Sequence, residues 1–492
     1  MARHLAAVPE ILLDTSSAVP LHRQLYEGLR GAILAGRLSA GTRLPATRTL
    51  ARELRISRNT VLNAFEQLLA EGYVEGQTGS GTYVGHVLPD DLLHVSPSPI
   101  AQPLAPTNRR LSRRGALLAA TPVSVARDQG LPRAFRPGLP AFDTFPFDIW
   151  TRLVARHWKR PPPELLSYGD PAGYLPLREV IAAYLQAARG VQCTPDQVIV
   201  VAGSQQGLDL AARVLLDPGD HVWIEDPGYV GARGALRSAG AQLVPVPLDQ
   251  EGLRVAAGIE KCPGARMAYV TPSHQFPLGV TMSLSRRLAL LDWARRADAW
   301  LLEDDYDSEY RYTGRPLPAL QGLDRDGRTI YLGTFSKVLF PSLRLGYLVV
   351  PSDLVDAFVA ARALADRHPP SIEQAALADF IAEGHFARHI RRTRALYAER
   401  QAALLVAAEH ELAGLIELHP AEAGMHLVGW LPARLSDVDA ANRAARAGID
   451  APALSAYALE PLACGGLLLG YAAVDQADIR PAVQRLGMAL RG

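Results

Sequence analysis

Five short apolar runs, each breaking off into small, polar or acidic residues, constrain this chain most. They are residues 198–201 (VIVV), 222–224 (VWI), 267–270 (MAYV), 300–302 (WLL) and 329–332 (TIYL). Their length and their β-branched or aromatic content predict buried strands. Helical stretches lie between them. Strand–helix alternation of this kind predicts a mostly parallel sheet, with ligands at the C-terminal ends of its strands. Gly203-Ser204-Gln205, the run from Glu225 to Tyr229, Thr271 to Gln275, and Glu303-Asp304-Asp305-Tyr306-Asp307 follow the first four runs. Lys337 follows the fifth, so the unusual groups gather on one edge.

Lysine is nearly absent from the chain, which holds only Lys159, Lys261 and Lys337, while arginine supplies almost all the positive charge. A guanidinium stays protonated and cannot attack a carbonyl carbon. Lys337 is an amine set among small and hydroxylated residues, in YLGTFSKVLFPSLRLGY. An amine condenses with the aldehyde of pyridoxal 5'-phosphate to form a Schiff base. The phosphate of that cofactor needs hydroxyl donors and a fork of N–H groups, which Thr334, Ser336 and Arg344 offer. Backbone N–H groups at the helix start after Gly203-Ser204-Gln205 form a second anion site. Asp304 is suited to keep the pyridine nitrogen protonated, Tyr306 to bond the ring hydroxyl, and Tyr229 to stack on a flat ring. Loop acids are otherwise usually solvated, and Asp305 and Asp307 fit that plainer description better than Asp304.

The segment S-K-x-x-x-P-x-x-R-x-G-Y resembles the cofactor-lysine segment of fold-type I aminotransferases, over about residues 132–490. In that family the first Asp of the acidic run holds the ring nitrogen. The Tyr two residues on holds the ring oxygen. The resemblance implies an α/β domain with a mostly parallel central sheet and a smaller C-terminal α+β part.

The chain has 492 residues, a net charge of +1 and 48% hydrophobic content. That size predicts two or more domains, and the composition a globular protein rather than a disordered or membrane one. The opening MARHLAAVPEILLD lacks the apolar core of a signal peptide. Three scattered cysteines, Cys193, Cys262 and Cys464, point to a reducing cytoplasm and to no metal site.

Residues 21–85 read as a separate module. Leu21, Leu25, Leu29, Ile33 and Leu34 recur at helical spacing, and Gly36 ends that helix. A second helix is expected over 47–54. Ser57 caps a third over 58–71. Short strands at 73–75 and 82–84 flank a turn at Gln77-Thr78-Gly79-Ser80. This is the winged helix-turn-helix plan. From position 20 to 85, eight arginines face five glutamates, an excess of three positive charges for phosphate neutralisation. Ser57-Arg58-Asn59-Thr60 presents side chains suited to base edges. The stretch resembles the DNA-binding domain of GntR-family repressors. That resemblance implies DNA contacts by Arg43, Arg48, Ser57, Arg58, Asn59, Thr60 and the wing glycine Gly79.

Between residues 88 and 131 periodicity fades and prolines recur, which predicts an extended tether. Its arginines, Arg109, Arg110, Arg113 and Arg114, touch DNA phosphate or stay solvated. The expected division is therefore 1–87 winged helix, 88–131 linker and 132–492 aminotransferase-like domain.

Two departures separate the chain from a working transaminase. Phe276 stands where the aminotransferases carry the Asn of N-P-x-G. Leu468-Leu469-Gly470-Tyr471 replaces an R-L-G-F whose arginine clamps the substrate carboxylate. An apolar side chain cannot replace a bidentate guanidinium. Both departures, and the joint order of parts, resemble MocR-type regulators of the GntR family. The implied function is a DNA-binding transcriptional regulator sensing pyridoxal phosphate, an amine or an amino acid at Lys337, as a head-to-tail homodimer. The alternative is an active aminotransferase with an accessory DNA-binding domain; a third reading makes the large domain a dimerisation scaffold without cofactor.

Overall fold

A computed structural model of the protein describes residues 11–77, 81–86, 110–121, 133–314 and 318–491. The chain divides into two compact units, residues 1–110 and 111–492.

In the first unit α1 (Leu21–Leu34), α2 (Thr47–Glu53) and α3 (Arg58–Ala70) precede β1 (Val74–Gln77) and β2 (Gly81–Val84). Leu25, Leu29 and Ile33 of α1 bury one face against Val61, Ala64, Phe65 and Leu68 of α3. Each such Leu contributes about 1.5–3 kcal/mol of burial. Ser57 caps α3 by accepting the Thr60 N–H at 3.1 Å. Gly36, at φ +70, turns the chain out of α1 as expected. β1 and β2 pair antiparallel as the wing. The turn residues 78–80, and with them Gly79, lie outside the described residues.

The linker is not wholly extended. Residues Arg113–Ala120 form a helix capped by Ser112, whose Oγ accepts the Gly115 N–H at 2.9 Å. The cap and the following Ala and Leu residues favour a helix over the extended form that the flanking prolines suggest. Among the described residues, Arg113 and Arg114 begin this helix and are exposed.

The second unit is built on an eight-stranded sheet. Its strands are β3 (Val198–Val201), β4 (His221–Asp226), β5 (Gln242–Asp249), β6 (Gly252–Leu253), β7 (Met267–Val270), β8 (Trp300–Asp305), β9 (Thr329–Thr334) and β10 (Gly346–Val349). The spatial order is β3-β10-β9-β8-β7-β4-β5-β6. The run β5-β4-β7-β8-β9 is parallel, and β10 is antiparallel to both of its neighbours. β3, β7, β9 and β10 are buried at every residue. Helices cover both faces, which is why these strands are continuous apolar runs. All five runs singled out in the sequence are strands of this sheet.

A smaller antiparallel sheet, β11 (Glu417–Leu418), β12 (His426–Trp430) and β13 (Gly466–Gly470), packs with the helices His385–Glu411 and Gln476–Arg491 around Tyr397, Leu427 and Leu469. Residues Ala134 and Phe135 are stitched to this smaller part by bridges to Ile449 and to Gly470 of β13. A Cβ on Gly470 would meet the Arg136 carbonyl oxygen at 2.4 Å, so only glycine lets the two backbones approach. Arg388, Arg391, Arg392 and Arg394 are exposed on the long helix.

Candidate functional site

The C-terminal ends of β3, β4, β7, β8 and β9 open into one cavity of about 350 Å³. Ser204, Gln205, Tyr229, Asp304, Tyr306, Thr334, Ser336, Lys337 and Arg344 all line it. Gly203 sits just behind: a Cβ there would meet the Arg344 guanidinium at 3.2 Å.

One pole is built for an anion. Gly203 takes φ +92 and Ser204 begins the helix Ser204–Leu215, whose first N–H groups are free of intrahelical partners. Arg344 donates to the Ala202 carbonyl, and the Ser336 N–H donates to Thr334 Oγ1 at 3.1 Å. Gln205 is tied by its amide to the Gly231 carbonyl at 3.0 Å. Lys337 stands beside this pole and donates from Nζ to the Gly138 carbonyl at 2.9 Å.

Asp304 stands at the end of β8 and is buried. Burial pushes its carboxyl up to about 7, and donation from Tyr269 Oη to Oδ2 at 2.9 Å opposes that rise. Among the described residues, its Oδ1 is buried without a hydrogen-bond partner. Strand alternation sends its neighbours elsewhere. Glu303 accepts the N–H groups of Leu320 and Gln321 at 2.7 and 2.8 Å. Asp305 pairs with Arg189 at 2.8 Å and accepts from Tyr331. Asp307 meets His274 at 3.0 Å. These acids are thus buried with at least one partner each, not the solvated loop acids expected for Asp305 and Asp307. Like Asp304, Asp305 and Asp307 keep Oδ1 without a hydrogen-bond partner among the described residues, but of the three only Asp304 lines the cavity. Arg189, Tyr331 and His274 come from distant segments; Arg189 gave the sequence no local signal, while Tyr331 showed only as part of an apolar run and His274 only as part of a polar strand end.

Glu225 adds a second buried carboxyl. It accepts from Thr271 N, Thr271 Oγ1 and Gln275 Nε2 at 3.1, 2.6 and 3.1 Å, and burial raises it to about 7. The opposite wall is aromatic. The Phe276 ring lies 5.3 Å from Tyr457, 5.4 Å from His426 and 5.9 Å from Tyr229. Burial pushes His426 down to about 3, so the ring is neutral, with Nε2 donating to the Pro277 carbonyl at 3.0 Å. Leu468 is packed with Val230, Val428, Leu454 and Tyr457. The position that would carry a carboxylate-binding arginine is therefore core. Among the described residues, the cavity's guanidiniums are those of Arg344 and Arg136. Arg136 is held by Asp450 at 2.6 Å.

Sequence reasoning did not single out Gly138, Tyr269 or His426. Tyr269 is the third residue of a run that reads simply as core.

On the first unit, Arg48, Ser57, Arg58 and Asn59 are exposed, and Thr60 is half-buried. Ser57 and Thr60 also bond each other at 2.8 Å, so their hydroxyls already serve the cap. Arg43 pairs with Tyr83, and its guanidinium lies against Gly81 at the base of the wing.

Residues 151–486 match the model for aminotransferase class I and II, and residues 21–84 match that for bacterial regulatory proteins, gntR family. The chain is 46% identical to a probable rhizopine catabolism regulatory protein, MocR, of Rhizobium meliloti, over 97% of this chain and 95% of that one. It is 33% identical to the pyridoxine biosynthesis transcriptional regulator PdxR of Corynebacterium glutamicum, over 97% of each chain. Among solved structures, LysN, an α-aminoadipate aminotransferase of Thermus thermophilus complexed with N-(5'-phosphopyridoxyl)-L-leucine, superposes with a TM-score of 0.68 at 32% identity. That match covers 73% of this chain and 92% of LysN. The fold, the order of the two matched segments and the length of the match to MocR agree: the chain belongs to the MocR-type regulators, in which a gntR-family winged helix precedes a class I and II aminotransferase domain.

Proposed function

We propose that this protein is a transcriptional regulator whose affinity for an operator is set at Lys337 by pyridoxal phosphate, or by an amine or amino acid that reacts with it there. The carrying observation is the placement of one amine, one unpartnered buried carboxylate oxygen and one anion pole on a single cavity. The residues fit the cofactor. Asp304 Oδ1 is a buried acceptor with no donor among the described residues, as a ring N–H requires. The Gly203–Ser204 helix start with Thr334, Ser336 and Arg344 suits a phosphate dianion.

When bound, the cofactor supplies an aldehyde that an amine can occupy and a ring that withdraws electrons. In this reading Lys337 holds that aldehyde by its Nζ and Asp304 holds the ring nitrogen's proton. Tyr306 donates to the ring hydroxyl and Tyr229 covers a ring face. Ser204, Gln205, Thr334, Ser336 and Arg344 bind the phosphate, with Gly203 shaping their approach. Arg43, Arg48, Ser57, Arg58, Asn59, Thr60 and Gly79 face the DNA. Residues 1–87 then form the DNA-binding domain, 88–131 the tether and 132–492 the ligand domain. A cytoplasmic homodimer, head to tail, presents two winged helices to a two-fold operator. A ligand that binds two arrangements of the dimer unequally changes DNA affinity by the ratio of those affinities.

Footprinting upstream of the protein's own gene, with and without pyridoxal phosphate, tests this reading. A protected site whose occupancy changes with the cofactor supports it, and no protected site removes it. Intact Lys337, Asp304 and Arg344 also keep a catalytic reading open. Repeated turnover of an amino acid to its keto acid would favour that rival.

A further inference from the structure

His274 follows β7 and is buried, yet no part of the reading above uses it. Its Nδ1 lies 2.9 Å from Tyr306 Oη and 3.0 Å from Asp307 Oδ2. The ring is fitted closely. A Cβ on Gly424 would fall 2.0 Å from its Cε1, and one on Gly279 3.1 Å from its Nε2. Both glycines take positive φ, at +98 and +77. Two backbone turns, one from each sheet's surroundings, are thus shaped to admit an imidazole.

A ring nitrogen carries one proton or one lone pair, never both. Asp307, at 3.0 Å against 2.9 Å for Tyr306, has a bond to offer that single valence in either protonation state. An ionised Asp307 accepts the Nδ1–H; a protonated one donates to the Nδ1 lone pair. Burial raises the Asp307 carboxyl, and the His274 contact opposes the rise. In neither case does His274 consume the Tyr306 hydroxyl hydrogen. Among the described residues, the other charged or titratable groups near this cluster are Lys337, Asp304, Asp305, Glu225, Tyr312, Tyr471 and His426, whose ring centroid is 5.3 Å from that of His274. His426 is neutral and bonded to a carbonyl.

Phe276, on the same cavity, offers no donor. Tyr306 is therefore the hydroxyl whose direction matters there. We propose that His274 is a positioning residue: by occupying Asp307, it stops that buried carboxyl from capturing the Tyr306 proton, and so aims the Tyr306 hydroxyl into the cavity. This rests on the cofactor reading above, in which that hydroxyl donates to the ring oxygen.

The test is the pH titration of visible absorbance in the full-length protein loaded with pyridoxal phosphate. A donor to the ring oxygen stabilises the deprotonated form, so its loss raises the midpoint. Y306F should raise it by about one pH unit, ten-fold in the proton dissociation constant. H274L should raise it similarly, and H274L/Y306F no further than Y306F alone, as expected for coupled sites. H274N, whose amide can stand in for Nδ1–H, should keep the wild-type midpoint. H274M also removes the ring N–H, so either folded apolar variant carries the comparison. An unchanged midpoint in H274L or H274M, or a shift that adds to that of Y306F, overturns the proposal. A wild type with no visible band that depends on Lys337 would instead sink the cofactor reading itself.

Discussion

The Lys337 amine donates to the Gly138 carbonyl at 2.9 Å, across 199 positions of the chain. Gly138 takes φ +77, and a Cβ there would stand 2.7 Å from Nζ. Gly138→Ala should therefore push the amine from its place and strain the turn by about 1–2 kcal/mol. Pyridoxal phosphate uptake, followed by visible absorbance, is expected to fall at least ten-fold while far-UV circular dichroism stays unchanged. Uptake equal to the wild type would show that the contact does not place the amine.

Lys337→Ala removes the amine without opening a packed core, because the side chain lines a cavity. The visible band of the loaded protein should disappear and the melting temperature of the cofactor-free protein should hold within about 2 °C, the scale of a surface change of ±0.5 kcal/mol. A persistent band would move the attachment to another group.

Burial raises the Asp304 carboxyl from 3.8 to about 7 in the fold. A folded value above the unfolded one means that the protonated acid favours the folded state. Its contribution is complete below about pH 4 and is lost as pH rises through about 7. Glu225 and Glu303 shift the same way, also to about 7. The cofactor-free protein should accordingly melt at lower temperature as pH rises from about 5 to about 8. Asp304→Asn stays neutral and should escape part of that loss, on the order of a few kcal/mol at the upper end. Parallel pH profiles for the variant and the wild type would contradict this electrostatic account.

Arg48 is exposed on α2 and carries no ion pair among the described residues. If it neutralises one operator phosphate, Arg48→Ala should lower the slope of log K against log salt by about 0.9. Affinity should fall for all sequences alike, as a phosphate contact carries no base information. Binding isotherms at several salt concentrations measure both. An unchanged slope would place Arg48 off the DNA.

Ser57 holds the start of α3 by accepting the Thr60 N–H. Ser57→Ala should cost the module about 1 kcal/mol. For a unit of its size that is a loss of about 4–8 °C in its own thermal transition. A transition within 1 °C of wild type, itself about an eighth to a quarter of that loss, would mean that water replaces the cap fully.

What the sequence determined by itself was local. The Gly36 stop of α1, the Ser57 cap of α3, the five buried strands and the crowding of polar groups at their ends depend on neighbours a few residues away, and they read directly. Lys337 stood out because amines are scarce in this chain. The sequence singled out Asp304 from Glu303-Asp304-Asp305-Tyr306-Asp307 through its resemblance; the tertiary structure alone gave Glu303, Asp305 and Asp307 their partners on distant segments. It alone brought Gly138 to Lys337, Tyr269 to Asp304 and His274 to Tyr306. Those pairs are set by strand order and by the docking of the small sheet, and long-range packing of that kind leaves no periodic trace along the chain.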